Sequence, residues 1–154
     1  MEYKPDWSPN TIAEIEKILN KNYTIFEWGT GYSTIWLAER VGQVITMEHT
    51  QEWHDKIKAI ANELHLFNID FNLYPLTDER YFKHIHNTAG ADFIIIDGRE
   101  RVRCFGEAIK LGKPIMLDDS ERERYKAIFD MADYKSVLYT IPNNQGQKAT
   151  IFIQ

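Results

Sequence analysis

Residues 23–33 read Tyr-Thr-Ile-Phe-Glu-Trp-Gly-Thr-Gly-Tyr-Ser, an apolar run that ends on Glu27 and passes at once into the pair Gly29 and Gly31. Buried parallel strands read as short apolar runs, and paired glycines let the backbone turn tightly and approach a ligand closely. A carboxylate beside such a turn repels a pyrophosphate, so this corner suits a ligand that carries positive charge. Glu48 closes the next apolar run at the spacing of one βαβ unit. Its two oxygens can accept from two neighbouring hydroxyls at once. Asp97 closes a third run and Asp118-Asp119 a fourth. A carboxylate such as Asp97 can take a proton from a substrate hydroxyl, while Arg99, Arg101 and Arg122 can grip a carboxylate or phosphate with paired N–H groups. Acids and bases interleave so densely from Arg99 to Arg124 that some of these arginines must neutralise Asp118, Asp119, Glu121 or Glu123 instead.

The elements that position these groups alternate along the chain. Apolar runs at 24–27, 43–48, 69–73, 92–97 and 114–117 predict strands, and helical patterns separate them. Ser8 as N-cap with Pro9 behind it predicts a first helix that buries Ile12, Ile15 and Leu19. Ser33 is the expected cap of the second helix, which stops at Gly42. Residues 51–65 carry Trp53, Ile57, Ile60, Ala61 and Leu64 on one helical face. The alternating pattern of 69–73 places that strand near a sheet edge, whereas Ile94-Ile95-Ile96 marks a central strand buried on both faces. A short helix is expected at 79–86, another at 102–111, and one directly after Asp119 with Tyr125, Ile128, Phe129 and Ala132 inward. Residues 136–141 and 149–153 flank the turn-rich Asn143-Asn144-Gln145-Gly146 and predict an antiparallel hairpin. The sum is one domain over residues 1–154, a three-layer α/β sandwich around a mostly parallel seven-stranded sheet.

Glu27-x-Gly29-x-Gly31 followed by Glu48 resembles motif I and the next strand end of the class I S-adenosylmethionine-dependent methyltransferases, and the resemblance covers nearly the whole chain. It implies a Rossmann-like fold with S-adenosylmethionine as cofactor. Glu27 would then meet the ligand ammonium directly or through water, Gly29 and Gly31 would admit the methionine moiety beside the helix that Ser33 begins, and Glu48 would clasp the ribose hydroxyls. His49 would lie near the adenosine, Trp28 would line the pocket, and Asp78 in the loop 75–78 would accept from the adenine amine. Asp-Gly-Arg-x-Arg-x-x-Cys followed by Asp-x-x-x-Arg-x-x-Tyr is similar to a bacterial methyltransferase-like subgroup. That likeness selects Asp97, Arg99, Arg101, Asp118, Arg122 and Tyr125 for catalysis, with Asp97 also beside the cofactor. Asp97, Asp118 and Asp119 further resemble the carboxylates of magnesium-dependent catechol-type O-methyltransferases, and oxygen ligands suit that ion. Adjacent arginines compete with a divalent cation, and Asp-Asp stands where that family has Asp-Asn. The expectation is therefore no resident metal, with magnesium the less favoured alternative.

Composition narrows the rest. With 154 residues, 44% hydrophobic and 13% aromatic, the chain can fill one core. A net charge of −5 weighs against non-specific binding to nucleic acid and favours a small-molecule substrate. Cys104 is the only cysteine, which excludes an internal disulfide and suits a reducing cytoplasm; its expected role is a buried small hydrophobe. The start of the sequence lacks the regions of a signal peptide and no apolar run reaches the ~18 residues of a membrane span, so a soluble protein without a membrane partner is expected. Five histidines form no zinc pattern. A homo-oligomer stays open. The reading is methyl transfer to an oxygen or nitrogen of a small anionic acceptor by in-line displacement. Its alternatives are a noncatalytic nucleotide-binding or assembly module and an NAD-dependent oxidoreductase, the last supported by Gly-Thr-Gly and Glu48 but weakened by Glu27 and a missing third glycine.

Overall fold

Every strand but the edge pair buries side chains on both sides, and the sheet is covered accordingly. The computed structural model describes residues 2–153. Its strands are β1 (Thr24–Trp28), β2 (Gln43–Glu48), β3 (Ile69–Leu73), β4 (Phe93–Ile96), β5 (Ile115–Asp118), β6 (Ser136–Tyr139) and β7 (Ala149–Ile153). They lie in the order β3-β2-β1-β4-β5-β7-β6; β7 enters antiparallel between β5 and β6. The chain works outward from β1 through β2 to β3, then returns to the other side of β1 for β4 and β5. Strand order therefore reverses between β1 and β4, and a crevice opens beyond their carboxyl ends.

Among the described residues six α-helices flank the sheet: α1 (Pro9–Ile18), α2 (Tyr32–Ala38), α3 (Gln51–Glu63), α4 (Arg80–Lys83), α5 (Arg101–Ala108) and α6 (Lys126–Met131). Strand parity divides the core. Ile25, Val44, Phe93, Ile95 and Met116 face α1 and α2, where Ile15, Trp36 and Leu37 meet them. Phe26, Ile45, Ile94, Ile96 and Leu117 face the other way, onto Tyr81, Phe82, Phe105 and Ile128. All four residues of β4 are fully buried, each contributing about 1.5–3 kcal/mol of apolar burial. This is why the Ile94-Ile95-Ile96 run occupies a central position, as its composition predicts.

Several expected boundaries move. Ser8 does cap α1, accepting from the Thr11 amide at 3.1 Å with Pro9 at the first helical position. The second helix, however, is capped at Gly31, and Ser33 sits inside its first turn. Leu64 lies just past α3 and is exposed. No helix follows Asp119 directly: that residue takes a left-handed conformation at φ 52°, and a turn and a single 3-10 turn (Glu123–Tyr125) precede α6. Cys104 is fully buried and its thiol is pushed up by desolvation, in keeping with a packing role. Among the described residues no helix is long and apolar enough to cross a membrane.

Gly29 ties the sheet to the crevice. Its φ is +103°, and a Cβ there would stand 2.4 Å from the Asp97 carbonyl oxygen. The β1 turn thus rests directly on the peptide that follows β4. Gly29→Ala should destabilise the fold by about 2–4 kcal/mol through left-handed strain and a backbone clash. Urea unfolding checks this; a variant within 0.5 kcal/mol of the parent, roughly the range of neutral surface changes, would show that the close approach carries no strain.

Candidate active site

The crevice beyond β1, β2, β4 and β5 encloses about 910 Å³. Its walls contain Gly29, Gly31, Ser33, Glu48, His49, Asp97, Arg99, Arg101, Asp118, Arg122 and Tyr125. Eleven sequence-predicted site residues are therefore brought together. Glu27, Trp28 and Asp78 do not line it.

Period-two geometry explains Glu27. It shares a strand face with Ile25 and so points under α2, not outward into the crevice. Both of its oxygens are occupied there: Ser33 Oγ donates to Oε1, while Thr34 Oγ1 at 2.6 Å and Thr46 Oγ1 at 3.0 Å donate to Oε2. The expected direct contact with a ligand ammonium gives way to an internal anchor that fixes α2 against β1 and β2. Burial pushes the Glu27 carboxyl up to about 7, with the three hydroxyls pulling the other way and the Asp97 charge adding to the rise. Trp28, one residue on, faces the opposite core and donates its indole N–H to the Tyr81 carbonyl at 2.8 Å. It fills space and does not line the pocket. Asp78 turns back on its own loop, accepting from the Arg80 amide at 2.9 Å and pairing with the Arg80 guanidinium at 2.6 Å. The carboxylate expected at an adenine amine is thus spent on a local turn.

Glu48 presents a different picture. Oε1 accepts from the His49 and Thr50 amides, both at 2.9 Å, and from Thr50 Oγ1 at 3.0 Å. Oε2 accepts no hydrogen bond from the described residues, although the residue is only 4% exposed. A nearly buried carboxylate with one oxygen fixed and one open is an acceptor prepared for a donor from the crevice. Tyr32 and Trp53, which are not among the expected site residues, line the same crevice. Tyr32 follows Gly31 directly, Trp53 occupies the first turn of α3, and their rings meet edge-on at 5.8 Å between centroids.

At the other end, β4 and β5 run parallel with Ile96 beside Leu117. The next pair in that register is Asp97 and Asp118, on the same face. Oxygens of Asp97, Asp118 and Asp119 lie within 4.8 Å of one another. Buried Arg101 holds this cluster together. Its Nε donates to the Gly98 carbonyl at 2.9 Å and Nη1 to the Asp118 carbonyl at 2.7 Å, with Asp119 and Asp97 carboxylates each 3.4 Å away. Arg101 is therefore a fixed counter-ion, not the acceptor clamp that the sequence pattern suggested. Arg122 pairs with Asp119 at 2.9 Å. Desolvation, reinforced by the neighbouring charges of Asp97 and Asp119, pushes Asp118 up to about 9. Asp97 is raised as well, by desolvation working against Arg101. Both carboxyls are therefore harder to ionise than a free aspartate, and among the described residues Asp118 Oδ1 has no hydrogen-bond partner. Arg101 supplies this cluster with a fixed counter-charge, with which a divalent cation would have to compete.

One partner of Asp97 comes from far away in sequence. Trp7 Nε1 donates to Asp97 Oδ2 at 3.0 Å, and the Trp7 ring packs edge-on against Trp36. Asp6 lines the crevice beside it, with Gln147 Nε2 donating to the Asp6 carbonyl at 2.8 Å. No local signal marks these residues, because contacts across 90 and 141 positions depend on the finished topology.

The raised Glu27 carboxyl has a consequence for stability. A folded pKa of about 7 against 4.5 for the unfolded group means that the native state holds a proton the unfolded chain has released. The stabilisation is complete below the unfolded value and is lost as pH climbs from 4.5 to about 7, roughly 3 kcal/mol in all. Glu27→Gln should flatten that part of the curve. Urea unfolding at pH 5, 6, 7 and 8 measures it, and equal slopes in parent and variant would mean that Glu27 ionises as readily folded as unfolded.

The chain matches no protein-family model and no curated protein sequence. Solved structures resemble it in fold. A methyltransferase-like protein from Silicibacter pomeroyi superposes with a TM-score of 0.73 at 19% identity, covering 99% of this chain and 89% of that one. An rRNA methylase from Streptococcus thermophilus gives 0.71 at 12% identity, covering 98% and 100%. An O-methyltransferase from Bacillus cereus in complex with S-adenosylhomocysteine gives 0.70 at 23% identity, covering 97% and 83%. Together with the strand order and the antiparallel β7, these likenesses show that the chain has, over nearly its whole length, the fold of the class I S-adenosylmethionine-dependent methyltransferases.

Proposed function

We propose that the protein binds S-adenosylmethionine and transfers its methyl group to an oxygen or nitrogen of a small anionic acceptor. The observation that carries this reading is the opposition of two prepared carboxylates across one crevice: Glu48 with an open oxygen beside the Gly-x-Gly turn, and Asp97 held by Trp7 and Arg101. The residues fit the cofactor. Glu48 Oε2 can accept from ribose hydroxyls, and His49 borders the same stretch of wall. Gly31 lies on the crevice wall, where a Cβ would make only ordinary contacts, with Trp53 Nε1 at 3.6 Å, Ser33 Oγ at 3.9 Å and Trp53 Cζ2 at 4.0 Å. The cofactor, when bound, supplies an electrophilic methyl group on a sulfonium.

The chain's own residues do the remaining work. Gly31 and Glu48 fix one reactant, and arginines not committed to the aspartates orient the other, so that alignment carries most of the acceleration. Asp97 accepts the proton that the acceptor oxygen or nitrogen loses. Trp7 and Arg101 hold its carboxylate in place, and burial raises its affinity for a proton. A carboxylate whose proton affinity is raised toward neutrality is the kind of base that general-base catalysis needs. The Bacillus cereus neighbour is an O-methyltransferase and the Streptococcus thermophilus one an rRNA methylase. The small-molecule choice rests on the net charge of −5 and on the mixed charge of the crevice mouth.

Thermal melting with S-adenosylmethionine, S-adenosylhomocysteine, NAD and ATP tests the cofactor class, because a ligand of the native state stabilises by mass action. The first two should raise the midpoint and the others should not. Gly31→Val should keep the fold, since φ −170° is extended backbone, and should lose the response to S-adenosylhomocysteine. Glu48→Ala should weaken S-adenosylhomocysteine binding by ~1–3 kcal/mol in calorimetry. Undiminished affinity in a folded Gly31→Val protein would remove the cofactor from this crevice.

A further inference from the structure

The guanidinium groups at the crevice mouth are not equivalent. Arg101 and Arg122 are neutralised by the aspartates after β4 and β5. Arg99 and Arg124 are exposed, and neither forms an ion pair with any described carboxylate. Arg99 stands in the turn after β4 and Arg124 in the 3-10 turn before α6. These two separate segments bring both groups to one place. With Glu100, Arg101, Val102 and Tyr125 they line a side pocket of about 270 Å³ that shares Arg99, Arg101, Arg124 and Tyr125 with the main crevice.

The Tyr125 ring organises this pocket. It is 6% exposed, and the guanidinium carbons of Arg101 and Arg124 stand 5.3 and 5.1 Å from its centroid. Stacking restrains Arg124 before any ligand arrives, which lowers the entropy lost on binding. Glu100 is the only acid on the pocket wall, and it pairs with none of the three arginines. Two unpaired guanidiniums that line one pocket repel, and an oxyanion that accepts from both relieves the repulsion while gaining paired N–H contacts.

We propose that this side pocket is the acceptor's anion subsite: Arg99 and Arg124 receive a carboxylate or phosphate borne by the acceptor at a distance from its methylated atom, which lies at Asp97. The assignment rests on the methyltransferase reading and refines it. Arg122 and Arg101 serve the aspartates, and the acceptor is a two-ended molecule with its nucleophile in the crevice and its charge beside Tyr125.

NMR of the arginine Nε–H groups tests this in isotope-labelled full-length protein saturated with S-adenosylhomocysteine, at constant ionic strength so that screening stays fixed. Inorganic phosphate and benzoate are titrated separately. The Arg99 and Arg124 signals should shift saturably with at least one anion while that of Arg40, stacked on Trp36 away from the crevice, stays still. The tighter anion identifies the group as phosphate or carboxylate. The double variant Arg99→Gln, Arg124→Gln should lose at least tenfold in anion affinity with an unchanged melting temperature. Absence of a saturable shift at Arg99 and Arg124, or equal anion affinity in the double variant, would overturn the subsite. Failure of S-adenosylhomocysteine to bind would instead overturn the cofactor reading, since the anion titration can be read without it.

Discussion

The contact of Gly29 with the peptide between Asp97 and Gly98 sets the geometry of everything around it. A Cβ at Gly29 would fall 2.4 Å from the Asp97 carbonyl oxygen, and one at Gly98 would fall 2.7 Å from Tyr81 Oη and 3.1 Å from the Gly29 amide nitrogen. Two chain segments can approach this closely only where neither carries a side chain. The Gly29 amide donates to the Met47 carbonyl at 2.9 Å, so the same turn is also stitched to β2. Through one glycine the ends of β1, β2 and β4 are held in fixed relation, and with them Gly31, Glu48 and Asp97. The crevice is thus a property of backbone packing before any charged side chain enters it.

Burial then sorts the acids into separate tasks. Glu27, Glu48, Asp97 and Asp118 all end strands, yet each meets different chemistry. Three hydroxyls surround Glu27 and make it part of the scaffold. Backbone amides hold one oxygen of Glu48 and leave the other open. Asp97 and Asp118 are adjacent like charges that cannot both ionise cheaply in a desolvated site, so both carboxyls are pushed up. Arg101 supports the pair but is itself only 7% exposed, so removing it would leave buried negative charge without compensation. The orphaned Oδ1 of Asp118 marks where satisfaction of the cluster is incomplete.

Much of this was legible in the chain. Apolar runs gave the strands, their terminal acids gave the crevice, and the alternating residues of β3 gave its edge position. What failed was mainly the direction of individual side chains. Glu27 shares the parity of Ile25 and Thr46 that of Val44, a pattern that pointed toward α2 and away from a ligand. Asp78 lies two residues before Arg80, close enough for a local pair. Arg101 follows Asp97 by four positions, the spacing of an ion pair across a helix start. Trp7, Asp6, Gln145 and Gln147 carry no such local mark, and only the assembled sheet brings their segments to the crevice.

The distribution of arginines follows from the same constraint. A cluster of aspartates this dry must be neutralised from within the protein, and Arg101 and Arg122 are consumed in doing so. Guanidinium groups left over after that neutralisation can respond to a ligand, because their charge has not been spent on the fold. Arg99 and Arg124 are such groups, and they stand on opposite sides of the segment that holds Asp118 and Asp119 in the chain. The fold needs acids at its strand ends and bases to balance them; recognition of an anion can then arise from the surplus of bases around the rim.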